Sequence, residues 1–154
     1  MKDKFSEYIK RMPILLNELK GKPLLNRNEL IKDIPQSGIY VFYRDGKPIY
    51  VGRSNRLKGR IQEHGRPSSD HYSATLAFNM AKEKVNYKRN EHRLATRNKL
   101  EKAPGFEEAF FLARANVAQM KIRAIRIDDQ VTQALFEIYA ALTLKTPYND
   151  FSTH

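Results

Sequence analysis

Residues 38–64 read GIYVFYRDGKPIYVGRSNRLKGRIQEH, and this stretch decides the fold. Residues 39–43 and 47–51 are β-branched and aromatic runs on either side of Arg44-Asp45-Gly46, the pattern of a β-hairpin. A two-residue loop at Asp45-Gly46 would set Val41 opposite Tyr50 and Tyr40 opposite Val51. A three-residue loop over residues 44–46 would instead set Val41 opposite Ile49, Ile39 opposite Val51 and Tyr40 opposite Tyr50. Only the second gathers the aliphatic side chains on one face and both tyrosines on the other. A one-residue slip exchanges faces, so the aliphatic pattern predicts the three-residue loop, with Gly46 in the left-handed conformation of a bulge.

Working outward, Ser54 or Asn55 is placed to cap a helix through Leu57, Arg60 and Ile61 that stops at Gly65. Upstream, Phe5, Ile9, Met12, Leu15, Leu16 and Leu19 recur at helical spacing up to Gly21-Lys22-Pro23. Pro13 lies inside that pattern and predicts a kink or two short helices. Asn26 or Asn28 can cap a further turn with Leu30 and Ile31, and residues 35–38 turn into the first strand. Downstream, the polar and basic region from about Pro67 to Asn116 is expected to be mostly helical, best at residues 74–84 and 107–117. Residues 120–127 alternate as a third strand, and Asp128 or Asp129 opens a last helix to about Lys145. The expected class is α+β: a small three-stranded antiparallel sheet flanked by helices. It forms one domain over residues 1–154, with a helical extension at 1–35 and a basic helical insert at 67–116.

Charge is the strongest compositional signal: 28 Lys and Arg against 17 Asp and Glu, a formal net charge of +11. Such an excess favours a polyanionic partner, because neutralised phosphates release counterions. With no cysteine, disulfides and thiolate metal sites are excluded. Lys2, Lys4, Glu7 and Lys10 interrupt any apolar run of the kind a signal peptide carries, and no segment reaches membrane-spanning length, so the cytoplasm is the expected compartment.

Several side chains suit phosphodiester chemistry. Arg60 and His64 lie four apart, on one helical face. A guanidinium grips phosphate oxygens in a fork, and an imidazole can relay a proton near neutral pH. A solvated helix face accounts for the pair equally well. Tyr40 and Tyr50 could pack across the hairpin, or act on a proton if nearby cations favour the phenolate. Glu137 sits in a helix that is apolar nearly all round, so its carboxylate is expected to be buried with a partner: a cation such as Arg60, or a metal ion. Ala134, Ala140 and Ala141 beside it would leave room for an ion and a phosphate. A single protein carboxylate suits Mg²⁺, which keeps waters and takes substrate phosphates as ligands. Lys88, Arg89, Arg93 and Arg97 of the insert, with Arg53 and Lys58, form the expected nucleic-acid contacts.

In order, the chain carries Gly38-Ile39-Tyr40, then Tyr50-Val51-Gly52, then Asn55-x-Leu57-x-x-Arg60-x-x-x-His64, a helical Glu137 and a Pro-x-Asn ending at Asn149. The ordered set resembles the GIY-YIG nuclease superfamily over roughly residues 36–66 and 118–150. The resemblance implies a divalent-metal-dependent endonuclease acting on DNA, with RNA left open, and Mg²⁺ or Mn²⁺ as cofactor. It also implies catalytic roles for Tyr40, Tyr50, Arg60, His64, Glu137 and Asn149. Tyr50 would activate the attacking water, Tyr40 would support it, Arg60 would bind the scissile phosphate, His64 would assist, Glu137 would hold the metal and Asn149 would orient the site. Paired cuts in both strands would call for a dimer. The alternatives are a non-cleaving nucleic-acid-binding module of the same fold and a basic docking protein.

Overall fold

The computed structural model describes residues 3–85 and 104–151. Lys88, Arg89, Arg93 and Arg97 lie outside the described residues. The class is α+β, and among the described residues there are α1 (Lys4–Gly21), β1 (Leu25–Asn26), α2 (Arg27–Leu30), β2 (Gly38–Arg44), β3 (Lys47–Ser54), α3 (Leu57–Gly65), α4 (Thr75–Lys84), α5 (Phe106–Ala118), β4 (Lys121–Arg126) and α6 (Gln130–Leu144). No helix of the described residues is long and apolar enough to cross a membrane. The chain divides into two compact units: Met1–Ile61 with Met120–Asn149, and Gln62–Gln119 with Asp150–His154.

The first unit holds an antiparallel sheet of order β1-β4-β2-β3, four strands rather than the expected three. The additional strand is Leu25–Asn26, paired with Ile122 and Lys121. Two residues show no alternation, and their pairing depends on a partner far along the chain, so local pattern carries no sign of them. Asn26 then closes a capping box: it accepts from Glu29 N at 2.9 Å, and Glu29 Oε1 accepts from Asn26 N at 3.3 Å.

The expected three-residue loop is overturned. Arg44 faces Lys47 across a two-residue turn at Asp45 (φ 53°) and Gly46 (φ 76°), both left-handed as a type I′ turn requires. Tyr43 faces Pro48, whereas Phe42 faces Tyr50, so Ile49 is an extra residue in a bulge. Pro48 has no N–H to give a ladder, and bulges and edge strands are where a sheet accepts that. The bulge adds the one-residue step that a two-residue turn otherwise lacks. Val41 therefore faces Val51, Tyr40 faces Gly52, and the aliphatic and tyrosine faces stay separate despite the different register.

The aliphatic face is the core. Ile39, Val41, Tyr43, Val51, Ile125 and Ile127 pack with Met12, Leu16 and Leu19 of α1 and Phe136, Ala140 and Ala141 of α6. Each such side chain contributes about 1.5–3 kcal/mol through burial, before ordering costs. Helix α1 runs unbroken through Pro13, so the two-helix alternative does not occur; Asp3 caps it by accepting from Phe5 N at 3.1 Å. Asp129, not Asp128, caps α6, accepting from Thr132 N at 2.8 Å and Thr132 Oγ1 at 2.6 Å, while Asp128 pairs with Arg126 at 2.9 Å.

The second unit has its own core, built where α4 packs on α5. Phe78 meets Phe106 edge-on with ring centroids 5.4 Å apart, and Phe110 at 6.3 Å. The Arg114 guanidinium lies 4.2 Å from the Phe110 ring centre. The described part of the insert thus carries two helices around a buried aromatic cluster.

Candidate active site

Two glycines explain how the tyrosine face is built. A Cβ at Gly52 would overlap the Tyr40 ring and hydroxyl, so the bare backbone there is what lets the ring lie across β3. A Cβ at Gly38 would overlap the Ile125 carbonyl, so β2 enters the sheet too close to β4 for any side chain. Tyr40 stands edge-on to Phe42, centroids 5.8 Å apart, and tilted to Tyr50 at 6.4 Å. Tyr40 is fully buried, while Tyr50 and Arg60 are half-buried.

Burial pushes the Tyr40 phenol well above its usual pKa; Tyr50 and Glu137 push it further, while Arg60 opposes them by its charge and a hydrogen bond. Tyr40 therefore stays a neutral phenol, and its contact with Arg60 makes it a holder of the guanidinium rather than a base. Tyr50, half-buried beside it, is the phenol with access to water.

Glu137 projects from α6, which packs against β3. It is half-buried rather than buried: the apolar residues Val131, Ile138 and Leu142 on the other side of α6 are exposed, so this helix buries one side only. Burial raises the Glu137 pKa, and the charge of Arg53 counters it. The expected partner is a cation such as Arg60, or a metal ion; Arg53, an exposed residue of β3, is the side-chain cation that offsets this carboxylate. Ala140 and Ala141 line no open space either, because both are packed into the aliphatic core. A half-buried carboxylate that burial disfavours gains from a cation beside it. One such ligand plus water fits Mg²⁺ or Mn²⁺, whereas no three His, Cys, Asp or Glu of the described residues cluster into a cage.

Asn149 acts on β3 itself. Its Oδ1 accepts from Val51 N at 2.8 Å, its Nδ2 donates to Val51 O at 2.8 Å, and Thr146 Oγ1 donates to the same Oδ1 at 2.8 Å. Tyr148 N donates to Ile49 O at 3.2 Å. β3 is an edge strand, so this loop supplies the hydrogen bonds that a further strand would have made, on both sides of Tyr50.

Sequence reasoning missed an amide cluster. Asn55 and Gln130 exchange bonds of 3.0 and 2.8 Å, and Gln133 donates to Asn55 Oδ1 at 3.1 Å and to Ile127 O at 2.6 Å. Asn55 is not the cap of α3 but its tie to α6, the helix of Glu137. Two glutamines in the otherwise apolar start of α6, one of them a turn before Glu137, are the signal that could have pointed to it.

Tyr40, Tyr50, Arg60, Glu137 and Asn149 thus all belong to the first unit, and Tyr50, Arg60 and Glu137 each act electrostatically on the Tyr40 hydroxyl. His64 belongs to the second unit and is completely buried, so the solvated helix face is excluded and the side chain presents no surface to a polymer. Arg53 and Lys58 are exposed. No protein-family model, no curated protein and no solved structure matches this chain.

Proposed function

We propose that the chain is a divalent-metal-dependent endonuclease of the GIY-YIG type that hydrolyses DNA phosphodiester bonds. The observation that carries this reading is the Arg60 guanidinium bonded to the Tyr40 phenol, with Tyr50 and Glu137 in electrostatic reach of the same hydroxyl. Packing alone explains two neighbouring tyrosines; it does not explain a guanidinium and a carboxylate brought to the hydroxyl of Tyr40.

In this reading Arg60 grips the non-bridging oxygens of the scissile phosphate and offsets the charge that develops on them. Tyr40 fixes the fork of Arg60, and its raised pKa keeps it neutral while it does so. Tyr50 acts as the phenolate: it accepts a hydrogen bond from the attacking water and takes its proton, becoming the phenol, as the water oxygen closes on phosphorus, in line with the oxygen that leaves. Glu137 would hold Mg²⁺ or Mn²⁺, which supplies Lewis-acid stabilisation of the leaving oxygen. Asn149 keeps Tyr50 in place by pinning the backbone next to it. His64, fully buried, is left out of substrate contact.

The test is cleavage of supercoiled plasmid and branched DNA with Mg²⁺ and with EDTA, for wild type and Glu137→Ala. Cutting should need the metal, and Glu137→Ala should lower the rate by about 10²–10³ or more while DNA binding persists. A Glu137→Ala protein that cuts at the wild-type rate would overturn the metal assignment. Salt-dependent binding without any cutting would favour the non-cleaving module.

A further inference from the structure

Two clefts on the first unit are lined by basic residues. One, of about 460 Å³, lies at the hairpin turn and is lined by Arg44, Asp45, Lys47 and Lys145 among others. The other, of about 380 Å³, lies at the mouth of α3 between residues 31–36 and 56–59, with Lys32, Asp33, Arg56 and Lys58 in its walls. Each sets three cations against one carboxylate, so composition does not separate them. What separates them is their relation to Arg60: the hairpin cleft uses no residue of α3, whereas the second shares that helix.

We propose that the cleft at the mouth of α3 is a second phosphate subsite, holding the backbone phosphate of the DNA strand that neighbours the one gripped by Arg60. The proposal rests on the nuclease reading and adds where the strand runs beyond the cut. Arg60 N donates to Arg56 O at 2.9 Å, so the two arginines stand one turn apart on one side of the helix start. One turn is about 5–6 Å along the axis, on the order of a nucleotide step along a backbone. Arg56 lies back across the first turn: a Cβ at Gly59 would meet its Nη1 at 2.7 Å, so glycine makes that path available. The walls are tied together, because Leu57 N donates to Gln36 O at 2.9 Å and fixes the 31–36 segment against α3. Ile34 and Pro35 on that wall offer apolar surface to a sugar, while Lys32 and Lys58 supply charge. A cleft of this kind reads backbone and not base, so it adds affinity without sequence preference.

The experiment is DNA binding by fluorescence anisotropy in EDTA, with a labelled duplex, over a range from about 50 to about 200 mM salt. Lys58→Ala and Arg56→Ala are compared with Lys47→Ala, which removes one charge from the hairpin cleft. Lys58 is exposed on α3, so its truncation does not endanger folding. Each α3-mouth variant should lower the slope of log K against log salt by about 1, and lower affinity roughly three- to tenfold on every duplex sequence tested. Lys47→Ala should leave the slope unchanged. Equal slopes in all three variants, with wild-type cutting intact, would overturn the subsite and leave the nuclease reading standing. Absence of both binding and cutting in the wild type would overturn both. Amide shifts at Lys58 and Gly59 caused by inorganic phosphate but not by DNA would make the cleft a small-anion site and overturn the strand assignment.

Discussion

Ile39, Val41 and Val51 meet α1 and α6 in an apolar layer, whereas on the other face of the same strands Tyr40, beside Phe42 and Tyr50, meets the Arg60 guanidinium and feels the Glu137 carboxylate. Both faces hold fully buried side chains, yet they ask different things of the fold. On the aliphatic side any shape-compatible set of apolar groups serves. On the tyrosine side a hydroxyl, a guanidinium and a bare glycine backbone must arrive together, and each fails without the others. Burial that stabilises on the first face perturbs ionisation on the second.

The sharpest way to test that contrast is to change one residue on each face by a comparable amount. Gly52→Ala places a Cβ inside the Tyr40 ring, and overpacking of this sort should destabilise by about 1–3 kcal/mol. Because Tyr40 must move, its hold on Arg60 goes with it, and cleavage per folded molecule should fall at least tenfold. Val41→Ala removes two methyl groups from the aliphatic core and should destabilise by about 2 kcal/mol. Its cleavage rate, measured well below the unfolding midpoint, should match wild type. Urea unfolding paired with single-turnover cleavage reads both numbers; an equal loss of activity in the two variants would show that the faces are not functionally separate.

The same contrast explains what was legible in the sequence. Aliphatic alternation exposed β2, β3 and β4, and helical periodicity exposed α1, α4, α5 and α6, because each is a local pattern of apolar spacing. Face parity does not decide the turn, because a three-residue loop and a two-residue loop with a bulge at Ile49 preserve the same faces. Pro48 was the available clue. β1 escaped because two residues carry no period. Tyr40, Tyr50, Arg60 and Glu137 could be singled out by residue type, but not their partners: that Arg53 rather than Arg60 answers Glu137, and that Asn55 reaches α6, are facts of packing between distant segments. Electrostatic partners obey no period, so they surface only with the fold.

Asn149 tests whether the tyrosine face depends on its edge. Truncation to Ala leaves Val51 N and O without the bonds that Asn149 supplies, a loss of about 1–2 kcal/mol. The amide of Val51 should exchange with solvent faster in Asn149→Ala than in wild type, while amides of β2 keep their protection through pairing with β4. Cleavage should drop through misplacement of Tyr50 rather than through weaker DNA binding. Unchanged exchange at Val51 would show that β3 holds its edge without the loop, and Asn149 would need another role.

The smallest effect concerns Glu137 and its charge. A carboxyl whose pKa is raised on folding binds its proton more readily in the native state, so stability falls as pH rises from the ordinary glutamate value through the raised one. Above that window the wild type carries the full penalty of a partly desolvated anion, reduced by Arg53. Glu137→Gln carries none of it. At neutral pH without divalent metal, the glutamine variant should therefore be the more stable, by about 1 kcal/mol or less, a few degrees in melting temperature. The difference should vanish below the ordinary glutamate pKa. Adding Mg²⁺ should raise the melting temperature of the wild type by mass action and leave the variant unchanged. A variant less stable than wild type at neutral pH would mean that Arg53 outweighs burial. The carboxylate would then belong to a structural ion pair rather than to a site that gains from a cation.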